Sequence, residues 1–169
     1  MKKLLFIVLL AALAAGGGFW YWRKINSDER KIARVLEECA ETAAFRQGEA
    51  PAGAFLKLRK LEDLLAPEVD ATIRIQGRTY QERLSRKEII QRLAGVRKMT
   101  SYLEIELSDL AVTVTGDTAT ADASVQLKSG GGGVDKYRDS AVEEVRFTLI
   151  RTDGKWRVTT VRAKDFMER

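Results

Sequence analysis

Histidine is absent from all 169 residues. Its absence removes the side chain that titrates unperturbed near neutral pH, the commonest metal ligand, and every Ser-His or Cys-His pairing. Cysteine occurs once, at Cys39, so no disulfide can close within the chain. Cys39 falls on the apolar face of a predicted helix, where a cysteine behaves as a small buried hydrophobe. No cluster of carboxylates has ligand spacing, so neither a metal nor a cofactor is expected. Excess charge is also scarce once it is located. Lys and Arg exceed Asp and Glu by five, and Lys2, Lys3, Arg23 and Lys24 supply four of these. From Ile25 onward the net charge is +1, too little for a nucleic-acid surface, and no nucleic-acid partner is expected.

Those four cations flank an uncharged run from Leu4 to Trp22. As a helix its nineteen residues would span about 28 Å, close to the hydrocarbon thickness of a bilayer. Phe19-Trp20-Tyr21-Trp22 followed by Arg23-Lys24 has the pattern of an interfacial anchor. The expectation is a signal-anchor over 1–24 and a domain over 25–169. The short basic N-terminus puts that domain on the outer side of a bacterial cytoplasmic membrane. The rival reading is a signal peptide cut within the small residues Ala14 to Gly18, which would release the domain.

Three helices are predicted next. Asn26 with Glu29 suggests a capped start, and Ile32, Val35, Leu36, Cys39, Ala40, Ala43 and Ala44 follow at helical spacing up to a stop at Gly48. Glu49 to Gly53 reads as a linker. Phe55, Leu58, Leu61, Leu64 and Leu65 outline a second helix that Pro67 ends. Val69, Ile73 and Ile75 suggest a short strand, with Tyr80 on another. Ser85-Arg86-Lys87-Glu88 is a capping box opening a third helix with Ile89, Ile90, Leu93 and Val96 inward. Its other face is basic, with Arg86, Lys87, Arg92, Arg97 and Lys98. That is a solvated face or, more sharply, a contact with anionic lipid head groups.

From Tyr102 to Phe166 the pattern changes to period 2. Gly116-Asp117 and Asp153-Gly154 are hairpin turns, because such turns need positive φ. Ala119, Ala121, Ala123, Val125 and Leu127 share one face, and Val145, Phe147 and Leu149 alternate in the same way. Ile105 and Leu107 are odd-numbered while Leu110, Val112 and Val114 are even, which predicts a β-bulge near Ser108-Asp109. Trp156, opening the last strand, is expected to plug the core.

The fold class is therefore α+β: a cone of three helices on a bent, mostly antiparallel sheet. Leu64 to Val69, Ser85 to Leu93, Val112 to Ala119 and Thr152 to Val158, in that order and spacing, resemble the nuclear transport factor 2-like fold of ketosteroid isomerases and polyketide cyclases. The resemblance covers roughly residues 28 to 166 and implies an apolar pocket between sheet and helices. The group contains enzymes, ligand binders, dimerising adaptors and membrane-tethered assembly components, so the fold does not choose among them. With no histidine and no charge read on the inward faces, the expectation is a non-enzymatic, membrane-tethered binding or scaffold domain of the cell envelope. Its partner would be another protein or a second copy, and Tyr137, Arg86 and Arg97 are contact residues. The alternative is a small-ligand pocket or an isomerase- or cyclase-like enzyme with a carboxylate inside the cone, for which Asp109, Tyr80 and Tyr102 are available.

Overall fold

The computed structural model describes residues 27–75, 78–130 and 138–164. Helix α1 (Asp28–Ala43) leads to a two-residue strand β1 (Phe45–Arg46), then α2 (Pro51–Leu64), β2 (Leu65–Ile75), β3 (Arg78–Ser85) and α3 (Arg86–Met99). Strands β4 (Tyr102–Thr115), β5 (Thr118–Gly130), β6 (Arg138–Thr152) and β7 (Lys155–Ala163) complete the described elements. All seven strands form one sheet in the order β1-β4-β5-β6-β7-β2-β3. Every pairing is antiparallel except β2 with β7. No helix among the described residues is long and apolar enough to cross a membrane. The predicted anchor over 4–22 lies outside the described residues.

The meander forms as its alternation requires. Leu107 faces Val125, Val112 faces Ala121 and Val114 faces Ala119, with the register slipping between Ser108 and Ala111. Asp109 adopts φ 53 there, so the extra residue sits at the bulge and both halves of β4 keep their apolar side chains on one face. The turns at Gly116 and at Asp153-Gly154 have the positive φ that the sequence implied. A second slip falls between Thr148 and Leu149 opposite β7, where Thr159 donates its hydroxyl to the Thr148 carbonyl.

The core lies between this face and the helices. Ile32 and Leu36 of α1, Leu61 of α2, Ala119, Ala121, Leu149, Trp156 and Val158 are buried together. The small alanines of β5 leave room in the core for Ile32 and Leu36 of α1. Trp156 is only 4 % exposed, as expected of a core plug. Over it lies Arg151, its guanidinium 5.2 Å from the ring, bonded to Asp28 at 3.0 Å and to Asp117 at 2.8 Å. That clamp joins the start of α1 to the β4–β5 turn and the β6–β7 hairpin.

Several helical details differ from the sequence reading. The N-cap of α1 is Ser27, in the extended conformation that precedes a helix. The helix ends at Ala43, before Gly48, because Phe45 and Arg46 are drawn into pairing with Leu103 and Tyr102. The expected linker contains a helix start: Pro51 occupies the first turn of α2, where its missing N–H costs nothing. Phe55 is 60 % exposed, since only the Leu61 face of α2 meets the core. The capping box of α3 is present in full, with Glu88 reaching back to Ser85 at 2.8 Å. Ile89, Ile90 and Leu93 pack on the core, but Val96 is exposed.

Candidate functional site

Burial along the inward face of β5 changes steadily. Ala119, Ala121 and Ala123 are almost fully enclosed, Val125 is 8 % exposed and Leu127 is 38 % exposed. Side chains fill one end of the cone, and the other end is hollow. A cavity of about 550 Å³ opens there, between Cys39 and Ala43 of α1, Ile89 and Leu93 of α3, Ile105 and Leu107 of β4, and Val145 and Phe147 of β6. A volume of that size suits a molecule of a few fused rings. The helices form its roof and the bulged sheet its floor.

One ionisable side chain breaks this apolar wall by its charge. Glu143 lies opposite Val125, two residues before Val145, and lines the cavity half-buried. It has no hydrogen-bond or ion-pair partner among the described residues. Among the described lining residues the only other titratable group is Cys39, whose thiol burial pushes up to about 12, so it stays protonated and is no nucleophile. Thr72 also borders the cavity, but its neighbour Ala71 faces Val161, a lining residue, so the Thr72 hydroxyl belongs to the opposite face. Among the described lining residues Glu143 is thus the single charged group offered to anything that enters.

Sequence reasoning passed over Glu143. Odd-numbered Val145, Phe147 and Leu149 were read as an uncharged inward face, and extending the same parity by one step reaches Glu143. The residues that reasoning favoured lie elsewhere. Asp109 is exposed at the bulge and accepts a hydrogen bond from Ser124 at 3.4 Å. Tyr80 is 48 % exposed on β3, paired with Ile73. Tyr102 begins β4 with its ring against Gly130, where a side chain would collide with it. None of the three lines the cavity.

The proposed contact residues separate in the same way. Arg86 lies 3.8 Å from Glu62 across the α2–α3 gap. Arg97 belongs to no solvated face: 11 % of its side chain is exposed. It stacks 4.9 Å from the Phe45 ring, donates to Glu49 at 2.9 Å and to the Thr42 carbonyl at 3.2 Å, and so ties α3 to the end of α1. Lys57, with Arg97 beside it, holds the Glu49 carboxyl below its ordinary range. Arg92 is likewise engaged, by Glu82 at 2.7 Å. Tyr137 lies outside the described residues.

Residues 57–162 match the SnoaL-like domain family. No curated protein matches the sequence. Among solved structures, a protein from Kribbella flavida has a TM-score of 0.69 at 16 % identity, covering 83 % of this chain and 91 % of its own. A candidate dehydratase of the nuclear transport factor 2-like family from Streptomyces avermitilis has a TM-score of 0.60 at 19 % identity, with 82 % and 95 % covered. A candidate aromatic ring hydroxylase from Novosphingobium aromaticivorans also has 0.60, at 18 % identity, with 83 % and 90 % covered. At such identities these likenesses speak to the fold.

The findings correct the expectation of a domain without catalytic activity. Neighbours described as enzymes share the fold. The cone is hollow and carries a carboxylate, where a scaffold reading required a filled interior. Missing histidine excluded one kind of acid–base group; Glu143 is another.

Proposed function

The chain belongs to the SnoaL-like domain family, and we propose that it acts on a small apolar molecule held in the cone cavity, with Glu143 moving a proton. The observation that carries this reading is the lone carboxylate in the wall of an otherwise apolar cavity of about 550 Å³. A carboxylate can take a proton from a carbon beside a carbonyl and return it to another position of the resulting enolate. The carboxylate ends as it began, so the step consumes nothing. The apolar walls orient the substrate by shape and exclude water, which holds the reacting carbon near the base. An isomerisation that moves one proton along the substrate balances with this one group.

The test follows deuterium incorporation next to the carbonyl of decalone, an apolar cyclic ketone, in deuterated water by NMR. The native chain should accelerate exchange, and Glu143→Gln should lose about 10²- to 10⁴-fold, the usual contribution of a positioned base. Equal rates for the two proteins would remove Glu143 from the reaction. The run from Leu4 to Trp22 supports a further part of the proposal, a tether that keeps the cavity beside a membrane on its outer side. Carbonate-washed membranes should then retain the full chain, whereas a mature protein starting between Ala15 and Phe19 would contradict the tether.

A further inference from the structure

Among the described residues Glu143 has no partner, and the basic residues nearest to it in register reach another carboxylate. Arg146 and Lys164, its nearest basic neighbours in register, both reach Asp122 on the opposite face of the sheet, at 2.8 and 3.0 Å. Among the described residues no lysine or arginine lines the cavity. An apolar cavity with one uncompensated carboxylate distinguishes molecules by charge. A neutral ligand gains from the apolar walls alone and leaves the carboxylate without a counter-charge. An anionic ligand brings a like charge into the same dry space. A hydrophobic ammonium ion instead completes an ion pair whose attraction grows as water leaves.

We propose that the cavity selects apolar amines, binding their ammonium group at Glu143 and their hydrocarbon body against Leu107, Val125, Val145 and Phe147. The proposal rests on the reading that the cavity holds small molecules, and it adds the charge of the preferred ligand. Glu143 is the specificity-determining residue, and the preference for cations is set by what the wall lacks as much as by what it holds.

The test is calorimetric titration of the full chain with phenylbutylamine, phenylbutanol and phenylbutanoate, which share one hydrocarbon body. The amine should bind at least about tenfold more tightly than the alcohol, a difference of about 1.4 kcal/mol, and the carboxylate most weakly. Glu143→Gln should bring amine and alcohol to within about threefold, or about 0.65 kcal/mol. An alcohol that binds as well as the amine to the native chain overturns the selection for cations and leaves the cavity reading intact. An amine preference that survives in Glu143→Gln assigns it to another group and overturns the role of Glu143. Failure of all three compounds to bind removes the cavity reading, and this inference with it.

Discussion

The two ends of strand β5 line the same core yet do different work. At Ala119 and Ala121 the cone is closed: Leu149 and Ile32 are completely buried beside them, and Trp156 seals the end under Arg151. At Val125 and Leu127 a gap opens between the helices and the sheet, and that space is the cavity. Side-chain size follows the division in reverse. Small alanines stand at the closed end, and larger Val125, Leu127 and Val145 border the cavity beneath its helical roof. Packing stabilises the closed end and costs the open end, where apolar walls face a void that a ligand can fill.

The largest expected effect lies at the closed end. Trp156→Ala should lower stability by about 3–5 kcal/mol, because it leaves a void under the Arg151 clamp. Chemical denaturation measures it, and a loss below about 1 kcal/mol would mean the end is not closed. Ala121→Leu should come next, at about 1–3 kcal/mol, since β5 has no room for added methyl groups there. At the open end, Leu127→Ala should cost less than about 1 kcal/mol, because Leu127 is already partly exposed. If Ala121→Leu and Leu127→Ala cost the same, the contrast between the two ends fails.

Much of this division was legible in the sequence, and its limits are instructive. The phase change between Leu107 and Leu110 located the bulge, because one inserted residue moves every later side chain to the other face. The hairpin turns followed from Gly116 and Gly154, whose positive φ few other residues accept. The parallel contact of β2 with β7 was not legible, because it joins segments about ninety residues apart with no local pattern to mark it. Phe55 looked inward by spacing alone, although only the Leu61 face of α2 meets a partner. Arg97 looked solvated because charge suggests the surface; its aromatic and acidic partners, Phe45 and Glu49, lie far back in the chain. Glu143 was readable by parity but is the one charge on an apolar face, and pattern reading treats such a residue as the end of the face.

The smallest effect belongs to the outer face of the sheet. The hydrogen bond from Arg146 holds the Asp122 carboxyl down to about 2, with Lys164 adding to it and burial opposing. A carboxyl lowered in the folded state stabilises the fold above its unfolded value of 3.8, and that contribution fades as pH falls from there towards 2. Asp122→Asn should therefore cost less than about 1 kcal/mol at neutral pH, as partly exposed pairs do, and should flatten the acid limb of stability. Denaturation curves at pH 7 and pH 2.5 give both values; an unchanged acid limb would remove Asp122 from the acid response.

The central claim is that the hollow end of the cone receives a small apolar molecule. Its most direct test is methyl NMR of the full chain titrated with decalone. The account predicts that signals of Leu107, Val125, Leu127 and Val145 move with saturation, while Ala119, Ala121 and Leu149 hold still. Saturable shifts confined to the closed end or to the outer face, or no saturable shift at all, would contradict it.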